Sequence, residues 1–149
     1  MPEILHRLTI DAPPEEVHEM VATKAGLERW WTGREVGGDE IVGGELLFYF
    51  SRGDEAAAVM EIAENTPDRV VWHCVGGPTD WQGTAVTFSM KPASDGATTL
   101  PFTHADWREP TEFMHMCSTH WASYLIGLKA GLEGGSYRPW PQGEVNRWP

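Results

Sequence analysis

One apolar stripe near the C-terminus constrains this chain more than any other feature. Phe113, Cys117, Trp121, Leu125, Leu128 and Leu132 follow one another at steps of four, four, four, three and four. That repeat places side chains on one face of an α-helix. Thr111, just after Pro110, is positioned to cap the helix, and Gly134-Gly135 to end it. The spacing therefore predicts a helix over 111–133, the longest in the chain. Its apolar face must be covered by another layer.

The preceding residues supply that layer. Residues 4–10, ILHRLTI, read as a first strand, closed by Asp11-Ala-Pro-Pro14. Glu15 and Glu16 then sit where a helix dipole favours negative charge, and Val17, Met20 and Val21 give a short amphipathic helix. A second helical turn is expected over Lys24–Trp31, closed by Thr32-Gly33.

From there to residue 104 the text is strand and turn. Glycine pairs at 37–38 and 43–44 bracket a short expected strand and lead by a hairpin into ELLFYF. Alternation then aligns Leu46, Phe48 and Phe50; Met60 and Ile62; Val70, Trp72 and Cys74; Val86, Phe88 and Met90; and Leu100, Phe102 and His104. Pro101 fits a sheet only at an edge or an irregularity. Consecutive hairpins imply an antiparallel sheet with one face covered by the long helix. The fold class is α+β: a curved antiparallel sheet of six or seven strands wrapped around a long C-terminal helix, with two short helices after the first strand. The domain is expected over 1–135. Residues 136–149 form a tail with prolines at 139, 141 and 149, expected to be extended. Trp140 and Trp148 would each leave a large apolar ring in water if the tail hung free, so the tail is expected to dock through Trp140 on its own domain or on a second subunit, giving a possible homodimer.

The pieces ILHRLTIDAPPEEVHEMV, GLERWWTG, VGGELLFYF, MEIAENTPDRVVWHC, TTLPFTHADW and HWASYLIGLKAGLEGG occur in an order that resembles the START-like, helix-grip (SRPBCC) superfamily. Within it the chain is most similar to bacterial proteins related to the C-terminal domain of the activator of heat-shock-protein-ninety ATPase. The likeness spans residues 4–135. It departs at Cys74, where such proteins often carry tryptophan, and in the Pro- and Trp-bearing tail. The resemblance implies a helix-grip fold with a cavity between sheet and helix, opening near the short helices and strand loops. It does not choose among the transfer proteins, cyclases and chaperone cofactors built on this scaffold.

If the aligned faces point inward, that cavity is lined by Phe48, Phe50, Met60, Ile62, Trp72, Phe88, Met90, Leu100 and Phe102. The helix adds Trp121, Leu125 and Leu128, and Trp30 or Trp31 stands near the mouth. Each of these alone reads better as a core residue, whereas the set, with its many large aromatics and flexible methionines, favours a pocket. His104 shares the face of Leu100 and Phe102, and Tyr124 lies one step off the helix stripe. Together they could bind a polar head or move a proton; alternatively, His104 is a core histidine satisfied by its neighbours.

Three functions compete on these residues. The first is binding of an apolar or amphipathic small molecule, aromatic or acyl. The second is a cyclase- or dehydratase-like enzyme using His104 and Tyr124 as acid and base; the lack of a paired acid–base motif ranks it lower. The third is a chaperone-associated, stress-response interaction protein. No cofactor is expected. A metal reading of Met114-His-Met-Cys117 with His120 fails on spacing, because His115 and His120 lie about 140° apart around a helix. Twenty-two acids against 11 bases give a net charge of −11, which repels a phosphate backbone and argues against nucleic acid. No run is apolar enough to span a membrane. The opening residues lack the basic-then-apolar order of a secretory signal, so a cytoplasmic protein is expected.

Overall fold

The computed structural model describes residues 1–147. The chain begins with strand β1 (Ile4–Ile10) and helix α1 (Pro14–Ala22). Proline at the start of α1 costs no hydrogen bond, since the first N–H groups of a helix are unpaired anyway. Glu15 and Glu16 occupy its first turn, and Val17, Met20 and Val21 are buried as the stripe requires.

The second helical segment differs from expectation. Helix α2 covers only Lys24–Leu27, and the chain then widens into a π-helical turn over Glu28–Thr32. Gly33, at φ 66°, closes it by donating its N–H to the Glu28 carbonyl. Two adjacent tryptophans are thereby buried together: Trp30 is 0% and Trp31 2% exposed. The Trp30 indole donates to the Met20 carbonyl at 2.7 Å, so it belongs to the core and not to a mouth.

Six further segments extend the sheet: β2 (Gly37–Gly38), β3 (Glu45–Phe48), β4 (Ala58–Thr66), β5 (Arg69–Gly76), β6 (Ala85–Ser89) and β7 (Lys91–Pro92). A last strand, β8 (Thr98–Ala105), precedes the long helix α3 (Glu112–Leu132). The order across the sheet is β1-β8-β6-β5-β4-β3-β2, antiparallel throughout, with β7 paired to the far end of β8. The strand expected between the glycine pairs is instead the first pair itself: Gly37 and Gly38 pair with Leu47 and Leu46, and residues 39–44 form the turn.

Pro101 sits where its missing N–H does least harm. The β6 ladder stops at Phe88–Phe102, and β7 does not begin pairing until Lys91–Thr99. Between β4 and β5 the register shifts twice, leaving Ala63 and Val75 unopposed. Such bulges bend a strand and sharpen its twist, which suits a sheet wrapped around a helix.

Helix α3 starts as expected, with Thr111 accepting the Met114 N–H. Its Cys117, Trp121, Leu125 and Leu128 are buried against the concave face, and Phe113 and Leu132 pack at the margins. Opposite them stand the inward residues of β3 to β8, among them Leu46, Phe88 and Phe102, each 1% exposed or less.

The tail folds back on its own domain. Trp140 donates its N–H to the Trp31 carbonyl at 2.8 Å. Ser123 on α3 donates to the Gly143 carbonyl, and Asn146 donates its N–H to His120 Nε2 at 3.1 Å. Two glycines make room for this. A Cβ on Gly33 would lie 2.3 Å from the Trp140 carbonyl oxygen, and one on Gly143 would lie 2.4 Å from the Tyr124 ring. Residues 140–143 form a turn, with a cis bond at Trp140–Pro141, so the segment is less extended than expected. Trp148 lies outside the described residues.

Candidate functional site

Sheet and helix interdigitate along most of their length but separate at one end. There a cavity of about 350 Å³ opens, lined by Trp31, Phe50, Ser51, Ala57, Ala58, Pro78, Trp81, Cys117, His120, Trp121 and Tyr124. Trp31 comes from the π-helical turn, Phe50 and Ser51 from the chain after β3, and Ala57 and Ala58 from the entry to β4. The loop between β5 and β6 adds Pro78 and Trp81. Helix α3 presents Cys117, His120, Trp121 and Tyr124, which fall at i, i+3, i+4 and i+7 and so share a face.

Aromatic rings dominate the wall. Trp121 stacks on Trp31 with centroids 4.9 Å apart and planes 19° apart. Trp81 also lies nearly parallel to Trp121, with centroids 6.4 Å apart and planes 15° apart. Phe50 meets Trp31 edge-on at 4.9 Å and reaches Tyr124 at 6.2 Å.

Of the residues expected to line a cavity, the structure brings Trp31, Phe50, Trp121 and Tyr124 to this one. Trp30, Phe48, Met60, Ile62, Trp72, Phe88, Met90, Leu100, Phe102, Leu125 and Leu128 are buried away from it in the core. The reason is contact: Phe102 and Phe88 touch the Trp121 ring at 4.6 and 6.5 Å, so no space remains behind it.

His104 is also behind that wall. It is fully buried, accepts the Trp121 indole N–H on Nδ1 at 3.1 Å, and holds Thr84 Oγ1 against Nε2 at 2.8 Å. An acceptor on Nδ1 fixes the neutral tautomer with its proton on Nε2, so the ring donates to Thr84. Thr84 in turn donates to the Trp81 carbonyl, and the Trp81 indole donates to Cys117 Sγ at 3.4 Å. This relay ties two cavity-lining tryptophans to β8, β6 and α3. Burial pushes the imidazole pKa down to about 3, so it stays neutral at physiological pH. His104 and Tyr124 therefore do not meet on one cavity wall, and His104 acts as a support for Trp121.

The polar points of the cavity are uncharged too. Burial pushes the Cys117 thiol up to about 12 and raises the Tyr124 phenol above its ordinary value. Burial also lowers His120, against an opposing pull from the Glu144 carboxylate. Among the described residues no three His, Cys, Asp or Glu side chains are placed to hold a metal, and no helix is long and apolar enough to cross a membrane.

The cavity residues absent from the sequence-based reading are Ser51, Ala57, Ala58, Pro78, Trp81, Cys117 and His120. Trp81 did carry a signal: it is a bulky ring in a loop bracketed by Gly76-Gly77 and Gly83. The alanines and the serine carried none.

Comparison with known proteins follows the same outline. Residues 11–133 match the family model described as activator of Hsp90 ATPase homolog 1-like protein. The chain is similar to the Aha1 dimer from Colwellia psychrerythraea at 35% identity and TM-score 0.80, covering 91% of this chain and 98% of that one. CalU16 from Micromonospora echinospora matches at 25% identity and TM-score 0.68, covering 89% of this chain and 74% of that one. An HSP90 activator from Plasmodium falciparum shares the fold at 18% identity and TM-score 0.71, covering 87% and 95%. No curated protein sequence matches the chain.

Proposed function

Since the chain belongs to the activator of Hsp90 ATPase homolog 1-like family, whose fold serves ligand binding and chaperone association alike, we propose that this protein binds a small apolar or amphipathic molecule. The carrying observation is the cavity of about 350 Å³ walled by Trp31, Trp81, Trp121, Phe50 and Tyr124. Its volume lies within the usual range for small-molecule sites, and its wall is apolar with a few polar points, as such sites are built. Catalysis is the weaker reading, because His104 is screened by Trp121 and fully hydrogen-bonded.

The test is titration with N-phenyl-1-naphthylamine, an uncharged dye that brightens in apolar surroundings. Saturable binding to the wild type and its loss in Ala57→Trp, which fills the cavity, are expected. No saturable binding by the folded wild type overturns the reading.

Family membership and the similarity to a dimeric Aha1 protein favour a second reading, a homodimer that acts on a chaperone. Native mass spectrometry of freshly purified protein reads the ligand and the subunit number in one measurement. Stimulation of a heat-shock-protein-ninety ATPase by the purified chain tests the chaperone role directly.

A further inference from the structure

We infer that the cavity selects an uncharged, planar aromatic molecule bearing a hydrogen-bond acceptor, and rejects carboxylates, fatty acyl anions included. This inference rests on the binding reading above and names its ligand class. The first observation is the wall itself: none of its eleven residues is Asp, Glu, Lys or Arg. A carboxylate carried inside would lose its water without gaining an ion pair, which is the costly way to bury a charge.

The surroundings offer an anion no rescue. Two carboxylates flank the cavity, Asp80 beside Trp81 and Glu144 in the tail, and each is close enough to raise a lining group, Cys117 in the first case and Tyr124 in the second. Of the cations near the rim, Arg52, next to Ser51, is exposed to water and does not line the wall, and the other two are engaged. Arg34 donates to the Ser51 and Gly53 carbonyls and lies over the Tyr49 ring. Arg108 donates to the carbonyls of Gln82 and Thr79. Both guanidinium groups are thereby committed to backbone carbonyls of the rim loops, and neither lines the cavity.

Shape selects for flat rings. Trp31 and Trp81 lie 19° and 15° from parallel to Trp121, so the lining rings share one orientation, against which a planar π-system gains offset-stacked or edge contacts that a flexible chain does not. Tyr124 supplies the polar contact. Its hydroxyl makes no hydrogen bond among the described residues, and its raised pKa keeps the proton on it, so it serves as a donor to a carbonyl or ether oxygen.

The experiment uses the full chain at pH 7.5 and isothermal calorimetry with four probes: 2-acetylnaphthalene, 2-ethylnaphthalene, 2-naphthoate and dodecanoate. The acetyl and carboxylate compounds are nearly isosteric and differ mainly in charge. The expected result is that 2-acetylnaphthalene binds, that both anions bind at least about tenfold more weakly, and that Tyr124→Phe weakens the ketone several-fold while leaving 2-ethylnaphthalene unchanged. Equal or tighter binding of either anion overturns the selectivity and leaves the binding reading standing. An equal loss for ketone and hydrocarbon in Tyr124→Phe overturns the donor role. Binding by none of the four overturns both the binding reading and this inference.

Discussion

Acid should expose His104. The ring is buried and neutral, with Trp121 donating to Nδ1 and Nε2 donating to Thr84, and its pKa falls from 6.5 to about 3. A protonated ring would carry donors on both nitrogens, so it would lose the Trp121 contact and place an unpaired charge in the core. The folded pKa is below the unfolded one; the unfolded chain therefore takes up the proton first as pH falls. Stability held above pH 6.5 is lost progressively towards pH 3 and levels off below it. With those two values, linkage gives a loss of about 2 kcal/mol between pH 7 and pH 5, growing to roughly 3 kcal/mol at pH 4. For a chain of this size the first figure corresponds to about 4–8 °C in melting temperature. Burial lowers His120 as well, so the comparison must be with His104→Gln, whose amide can accept from Trp121 and donate to Thr84 without titrating. Urea unfolding at pH 7, 6, 5 and 4 should show the wild type losing about 2 kcal/mol more than the variant by pH 5. Parallel profiles for the two proteins would refute the buried neutral imidazole and the support role assigned to it.

Three further outcomes follow from the packing. Leu128→Ala, at a position with no exposure on α3, should destabilise by about 2–5 kcal/mol in urea unfolding; a loss below about 1 kcal/mol would mean the helix face is not core. Burial pushes the Cys74 and Cys117 thiols up to about 11 and about 12. Both should therefore react with Ellman's reagent at pH 8 at least about a hundredfold more slowly in the native protein than in urea, and comparable rates would place them at the surface. Truncation after Gly135 removes the Trp140–Trp31 and Asn146–His120 contacts. It should lower the melting temperature and make cavity tryptophans easier to quench with acrylamide; no change in either would mean the tail contributes nothing to the wall.

The fold was legible because its periodicities are long and uninterrupted. Twenty-one residues of α3 keep one stripe, and the inward positions of β8, Leu100, Phe102 and His104, keep strict alternation. Where a local irregularity decides the geometry, the reading slipped. The π-helical turn at Glu28–Thr32 adds one residue per turn, which no 3.6-residue template anticipates. The Gly37–Gly38 strand has no side chains to alternate, so only its backbone pairing reveals it. The register shifts at Ala63 and Val75 likewise leave no mark in composition.

The site was legible only in part, for a different physical reason. A search for inward-facing large residues finds the places where space is filled, and Phe48, Trp72, Phe88 and Phe102 fill it at 1% exposure or less. A cavity forms where large neighbours frame small ones. Along α3 the C-terminal half of the buried face carries Leu125 and Leu128, which close on the sheet; the N-terminal half carries Cys117, whose side chain is shorter. Facing the same opening are Ser51, Ala57 and Ala58 rather than another leucine or phenylalanine. The frame is stiff, because His104, Thr84 and Cys117 hydrogen-bond the tryptophans in place and the tail ties down Trp31. With neighbours unable to collapse inward, missing side-chain volume remains as open volume. The information specifying the cavity is therefore a coincidence of small residues from α3, the β4 entry and the chain after β3, which becomes visible only when the fold brings those three segments together.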